Sequence, residues 1–360
     1  MNDEKRIIIV KMMEVERMYS FRNDYSEGAH ASILKAMNDE NLIQQVGYGL
    51  DDVCEEARRL IRKQCSAFDA DVHFLVGGTQ ANLTVIASIL RPYEAVIACE
   101  SGHINVHETG SIEACGHKVC TAYAKDGKLT EEMIRNIVDA HTDEHMVKPK
   151  MVYISNATEL GTIYYKEELE ALHQVCRALD LYLFMDGARL GSALMADDND
   201  LTLKEIAQLC DVFYIGGTKN GALFGEAVVI VNEALKKEFR YNIKQRGGML
   251  AKGFLLGLQF KTLFENDLFF SLAKHANHCA QRMAQAFKDE GIEFYTNSST
   301  NQLFPILPHQ VANQLSEKYA FQVQEKIDEE HTAYRFVTSW ACPPHIIDEF
   351  IEDLKTILAK

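Results

Sequence analysis

Tyr214-Ile215-Gly216-Gly217-Thr218-Lys219-Asn220-Gly221 carries an apolar strand into a run of small residues, where one lysine follows a hydroxyl residue. Earlier in the chain, Leu183-Phe184-Met185-Asp186-Gly187-Ala188-Arg189 repeats the plan, an apolar strand that ends on an acid. Short apolar runs that each deliver a chemical group at their carboxyl end are what an open α/β sheet presents along its ligand-binding edge.

The pattern extends outward from this pair. Candidate strands fall at 72–76, 95–99, 118–122, 150–155, 181–185, 211–215 and 227–231, with helical patterns between most of them, near 79–90, 129–140 and 166–179. Strand alternating with helix predicts an α/β fold, a mostly parallel sheet with helices on both faces. Only about eleven residues join 211–215 to 227–231, too few for a comfortable helical crossover, so one strand of that pair is expected to run antiparallel. Upstream, 51–68 has the spacing of an amphipathic helix, and Gly47-Tyr48-Gly49 before it reads as a loop. Beyond about residue 232 the rhythm changes to long helices near 232–245, 249–265 and 268–290. Short strands near 293–296, 302–306 and 334–338 follow, with a closing helix over 344–359. The expected organisation is an N-terminal extension and arm over 1–45, a large domain over 46–235 and a smaller C-terminal α+β domain over 236–360. Residues 1–19 read as an extension whose true start is open to Met13 or Met18.

Composition narrows the partners. A net charge of −15, from 37 basic and 52 acidic side chains, argues against nucleic acid or an anionic membrane as the main partner. No apolar run reaches the ~18 residues of a membrane span. Nine cysteines without a CxxC pair suit reduced thiols and a cytoplasmic protein. No His/Cys/Asp cluster has the spacing of metal ligands, so no metal is expected.

Four strand ends carry candidate chemistry. Phe74-Leu75-Val76-Gly77-Gly78-Thr79 passes from strand through paired glycines into a helix, whose free N–H groups and dipole make an anion seat. By itself a glycine pair reads more readily as a tight strand-to-helix turn. Glu100-Ser101-Gly102-His103 brings an imidazole to the same edge, suited to stacking on a ring and to handling protons. Asp186 with Arg189 has the alternative of a structural ion pair, and Lys219 that of an exposed turn lysine. In order and together they are what pyridoxal phosphate requires: a carboxylate under the pyridinium nitrogen and a lysine for the aldehyde.

The sequence resembles the low-specificity threonine aldolases, pyridoxal-phosphate enzymes of fold type I. The matching segments are Gly78-Thr79-Gln80-Ala81-Asn82, His103, Asp186-Gly187-Ala188-Arg189, Thr218-Lys219, Gly247-Gly248-Met249 and Arg335-Phe336-Val337-Thr338. They run in the family's order over roughly residues 20 to 358. The resemblance implies that Gly78, Thr79 and Thr218 hold the cofactor phosphate and that His103 stacks on the ring. It further implies Asp186 on the ring nitrogen, Arg189 on the ring hydroxyl and Lys219 as the Schiff-base lysine. Arg335 would grip the substrate carboxylate, with Asn23 where the family often has a serine near that group. Tyr48 would reach the partner subunit's cofactor, implying a homodimer or homotetramer with shared sites. The implied reaction is cleavage of a small β-hydroxy-α-amino acid to glycine and an aldehyde. Alternatives are β-elimination, transamination or racemisation on the same cofactor, or a pyridoxal-phosphate-binding protein that has lost catalysis.

Two positions leave the family pattern. Leu250 stands where an arginine usually follows Gly-Gly-Met and helps bind phosphate, leaving Arg246, Lys252 or fewer contacts to balance that charge. Glu159, in Asn156-Ala157-Thr158-Glu159-Leu160-Gly161, takes the place of a histidine near the substrate β-hydroxyl. Glu159 is a candidate base beside His103, and a structural role suits it equally.

Overall fold

Side-chain alternation along the strands decides the architecture. In the structure, a computed structural model that describes residues 18–359, the alternate residues of each central strand enter two different cores. The expected start at Met13 and almost all of the extension over 1–19 lie outside those residues. A short strand β1 (Tyr19–Ser20) is followed by β2 (Asp71–Leu75), β3 (Glu94–Cys99), β4 (Val119–Ala122), β5 (Lys148–Ser155), β6 (Tyr182–Asp186), β7 (Val212–Gly216) and β8 (Glu226–Ile230). The last seven form one sheet in the order β2-β8-β7-β6-β5-β3-β4. All neighbours are parallel except β8, which is antiparallel to both β2 and β7. The short connection after β7 produces that reversal, as its length requires.

Val152, Ile154, Leu183, Met185, Phe213 and Ile215 face one core. Met151, Tyr153, Phe184, Val212 and Tyr214 face the other. A strand buried on both faces reads as a continuous apolar run, which is why these strands are legible in the sequence. On the first face lie the helices Asp52–Cys65, Lys166–Ala178 and Phe254–Glu265. The Gly78–Ile89 and Phe239–Gln245 helices cover the second. The Asp52–Cys65 helix is well delimited: Asp51 caps its start by accepting from the Cys54 N–H at 2.8 Å, and Ser66 ends it in a left-handed turn. At its crossing with Phe254–Glu265, a Cβ on Gly257 would stand 2.7 Å from the Cys54 Cα.

A third core, in the C-terminal part, gathers Phe21, Met283, Phe287, Phe336, Phe350 and Leu354. It is built on β9 (Gln302–Leu303), β10 (Ile306–Pro308), β12 (Gln322–Lys326) and β13 (His331–Val337), backed by the Leu268–Asp289 and Pro344–Leu358 helices. Between β10 and β12, β11 (Tyr319–Ala320) pairs in parallel with β1, so the beginning of the described chain is anchored on its end.

Three expectations are corrected. The segment 232–245 is a short 3₁₀ turn, Glu233–Leu235, and then Phe239–Gln245, separated by Glu238 in the left-handed region at φ 60. The helix expected from 249 begins at Phe254, because Gly247 (φ 73) and Gly248 fold into a loop pressed on Leu75. The segment 293–296 makes a single bridge, Phe294 to Pro305, instead of a strand. The helices Leu203–Leu209 and His309–Leu315 were not expected; each spans too few turns to display a period.

Gly257→Ala forces a backbone shift at the helix crossing. The expected cost is about 1–3 kcal/mol of overpacking, read as a melting temperature lowered by several degrees. An unchanged midpoint would mean that the crossing is looser than these contacts.

Candidate active site

The sheet's topology collects the candidate residues at one edge. Asp186 ends β6, the β7 connection carries Thr218 and Lys219, β3 leads to His103, β5 to Ser155 and Glu159, and β2 to the glycine turn. Because β8 is antiparallel, its first residue, Glu226, arrives at the same edge, paired with Gly216 on one side and Leu75 on the other. Gly187 and Gly216 have a steric reason: the ends of β6 and β7 cross so closely that a Cβ on either would enter the other's backbone.

Asp186 is buried and its carboxylate accepts four hydrogen bonds. Oδ1 takes the Ala188 N–H at 3.0 Å and the Tyr214 hydroxyl, while Oδ2 takes the Tyr153 hydroxyl at 2.6 Å and the Asn82 Nδ2 at 3.0 Å. All four partners donate, as an acceptor-only carboxylate requires. Burial, followed by the Asp186 charge, holds both tyrosines well above the usual phenol range, so their protons stay in these bonds.

Asn82 ties this acid to the histidine. Its Nδ2 also donates to Glu108 Oε1 at 2.7 Å, and that oxygen lies 2.8 Å from His103 Nδ1. Glu108 is buried, with Ser111 Oγ at 2.8 Å completing its other oxygen. Burial alone would lower the His103 pKa; the Glu108 bond and the Asp186 charge outweigh it and raise the imidazole above its ordinary value. Glu159 Oε1 accepts from the His103 backbone N–H at 3.0 Å and from Ser155 Oγ at 2.7 Å, so both candidate bases stand at one point of the edge. Burial raises the Glu159 pKa against the opposing Ser155 hydrogen bond.

The Lys219 amine makes no hydrogen bond or ion pair among the described residues; it lies over the Tyr25 ring, 6.0 Å from the centroid. Burial and then the Arg189 charge lower its pKa, which favours the nucleophilic, neutral amine. Arg189 is itself held by Asp24 in a two-point pair of 2.8 and 3.0 Å. Asp24 is 1% exposed and also accepts from Asn301 Nδ2 at 2.9 Å. Burial would push the Asp24 carboxyl up, but Arg189 and Lys219 bring it below the usual carboxylate range. Arg335 is bonded to Gln322 and to the Arg22 carbonyl at 3.3 Å, while its buried Nε has no partner among the described residues. Burial and Arg189 lower its pKa. Asn23 turns its Oδ1 back on its own loop, accepting from the Tyr25 N–H at 3.0 Å and from Ser26 Oγ at 2.9 Å.

At the glycine turn, the Gly78–Ile89 helix starts from Gly77 with no side-chain cap, and open space lies where a Gly77 Cβ would point. Thr79 is exposed beside it. The Thr218 hydroxyl lies 2.8 Å from Glu226 Oε1 and accepts the Gly225 N–H at 3.0 Å. Leu250 packs against the first core. Arg246 lies next to the helix start, its carbonyl accepting from Gln80 Nε2 at 3.2 Å, and its Nε is buried without a partner. Tyr48 has a different neighbourhood: its ring lies under the Lys244 amine at 4.9 Å and its carbonyl accepts from Arg240 at 3.2 Å.

A recessed unpaired amine, an uncapped helix start over open space and a buried acid held by four donors at the sheet edge fit pyridoxal phosphate. Sequence reading missed Asp24, Glu108, Tyr153, Tyr214 and Glu226 as parts of this edge. For the tyrosines no signal exists in an apolar strand; for Glu226 one did, a glutamate opening an otherwise apolar strand.

The chain is similar to known proteins. Residues 22–309 match the family described as Beta-eliminating lyase. A low specificity L-threonine aldolase from Pseudomonas sp. (strain NCIMB 10558) is 32% identical, the alignment covering 96% of this chain and 99% of that one. The corresponding protein of Pseudomonas aeruginosa is 31% identical over 94% of this chain and 97% of its own. Among solved structures, Leishmania major threonine aldolase superposes with a TM-score of 0.93 at 48% identity, covering 94% of this chain and 99% of that one. A Thermus thermophilus aspartate aminotransferase, at 13% identity and a TM-score of 0.72 over 98% of this chain and 95% of its own, shares the fold alone.

Asp24→Asn leaves the Arg189 charge buried and unpaired, at a cost of about 3–5 kcal/mol, measurable by chemical denaturation. Because the folded Asp24 pKa is depressed, the pair's contribution is present above the carboxylate's ordinary ~3.9 and is lost as pH falls through the lowered value. Wild-type stability should therefore drop in that acidic window by more than that of the variant.

Proposed function

This chain belongs to the beta-eliminating lyase family, among its low-specificity threonine aldolases, and from that premise we propose how the residues of its cleft divide the work. The enzyme is a pyridoxal-phosphate-dependent carbon–carbon lyase of fold type I that cleaves threonine to glycine and an aldehyde. That reaction takes precedence over the elimination, transamination and racemisation that the same fold supports elsewhere. When bound, the cofactor's protonated ring accepts the electron pair released from the Cα–Cβ bond.

Lys219 is the residue for the cofactor aldehyde, and its unpaired amine with lowered pKa is the observation that carries this reading. Asp186 receives the ring N–H. Its four protein donors fix the carboxylate in position before any ligand arrives. Arg335 takes the substrate carboxylate. The guanidinium is a planar fork with an unsatisfied Nε, suited to a two-point hold. Arg189, pinned by Asp24, offers its remaining N–H groups to the ring hydroxyl. Asn23, whose Oδ1 holds its own turn, has its Nδ2 to offer near the substrate carboxylate.

His103 is the better candidate for the base that removes the β-hydroxyl proton. With Glu108 bonded to Nδ1, the neutral ring carries its proton there and leaves Nε2 with a lone pair. Glu159 holds the His103 backbone in register through Oε1, and its raised pKa suits it to a protonated, donor role nearby. The enzyme works as a homodimer or homotetramer in which Tyr48 reaches a partner's site. Support comes from the exposed apolar side chains Leu34, Leu42, Ile43, Val46, Tyr48 and Leu50 along one segment. Nine free thiols suit the cytoplasm.

Lys219→Ala should abolish release of glycine and aldehyde from threonine; retained turnover would sink the assignment. The kcat/KM profile should show an acid limb above the ordinary imidazole value of about 6.5, because His103 must be neutral to act and its pKa is raised. Glu108→Gln keeps an acceptor and removes the charge, so that limb should move to lower pH. A limb that stays in place in E108Q and disappears in Glu159→Gln would transfer the role of base to Glu159.

A further inference from the structure

Glu226 is a buried acid for which the roles above have no use. It is 3% exposed, and only one of its oxygens is engaged: Oε1 lies 2.8 Å from the Thr218 hydroxyl, while Oε2 is buried with no hydrogen-bond partner among the described residues. A buried carboxyl oxygen without a partner is costly unless a ligand supplies one. The register shows where that ligand would sit. Glu226 pairs with Leu75, and β2 runs from Leu75 directly into Gly77 and the uncapped start of the Gly78–Ile89 helix. Its other neighbour is Gly216, at the start of the connection that carries Lys219. A helix start of this length with free N–H groups attracts an anion. An ionised Glu226 beside it would repel one, whereas a neutral acid has an O–H to donate.

We propose that Glu226 works as a neutral carboxylic acid whose Oε2–H completes the phosphate seat at the Gly78–Ile89 helix start. This rests on the pyridoxal-phosphate reading and deepens it. The Thr218 hydroxyl is then the partner that orients Glu226, since the Gly225 N–H already occupies one side of its oxygen. The charge state agrees with the geometry. Burial pushes the Glu226 carboxyl up to about 8, against the Thr218 hydrogen bond and the Lys219 charge and with the Asp186 charge; the neighbouring Tyr214 is a neutral phenol. The sign follows: the donor is present below that pH and is lost as pH rises through it.

Equilibrium dialysis of the full-length protein, freed of cofactor, between pH 6.5 and 9.5 tests this, with pyridoxal 5′-phosphate and phosphate-free pyridoxal compared as ligands. Their ratio of dissociation constants isolates the phosphate seat from the lysine chemistry. In wild type the preference for the phosphorylated ligand should be level at the lower pH values and decline above about pH 8, approaching tenfold per unit. In Glu226→Gln, which keeps a donor and cannot ionise, it should stay level throughout. A level preference in wild type, or the same decline in E226Q, overturns the proposal while tight binding leaves the cofactor reading intact. Failure of both ligands to bind at every pH overturns the cofactor reading and the proposal with it. If E226Q does not fold, the wild-type series decides alone.

Discussion

The cleft depends on holding one buried carboxyl group in a fixed set of hydrogen bonds where water does not reach it. Asp186 lies at the end of a strand buried on both faces, and an unpaired charge there would be prohibitive. Two tyrosines from the neighbouring strands, an asparagine from the first helix after the glycine turn and a backbone N–H from its own turn meet that demand. Each donor comes from a different stretch of chain, so the acid is set correctly only when the sheet, the helix and the turn are all in place. The Asn82 amide then passes the same constraint to Glu108 and His103, because one nitrogen serves both acids. The orientations of His103 and Asp186 are therefore not independent.

A second buried charge is handled differently. Arg189 is neutralised by Asp24 from the chain's first described loop, and Asp24 is steadied by Asn301 from the C-terminal part. The N-terminal segment is tied down by β1 pairing with β11 and by Phe21 in the third aromatic core. An ion pair inside the cleft thus rests on packing at the far end of the molecule. The same segment carries Arg22, whose carbonyl accepts from Arg335. Loosening the N-terminus would disturb the Arg335 guanidinium as well as Arg189.

The strands, the reversal of one strand beyond the lysine and the principal residues of the edge were legible before any coordinates. Doubly buried strands are continuous apolar runs, and a connection too short for a crossover leaves only one direction. Legibility failed where the determining contact is remote. Asp24 and Arg189 are far apart in sequence, and Glu108 looks like any polar residue in a turn until His103 and Asn82 close around it. The helix expected from 249 starts late because Gly248 must approach Leu75, a contact that no local pattern encodes. Asn23 was expected near the substrate carboxylate; its Oδ1 also caps its own turn, a local bond that short polar side chains often make and that no pattern in the sequence announced.

The sequence by itself determined the α/β architecture, the cofactor class and the lysine, acid and histidine at the strand ends, because each follows from periodicity, connection length and residue type within a short window. Tertiary structure decided protonation and orientation: which nitrogen of His103 is engaged, why the Lys219 amine is unpaired, and why Glu226 is buried with a free oxygen. Those properties are set by burial and by charges arriving from other strands, and desolvation is a property of the assembled fold, with no counterpart in the order of residues along the chain.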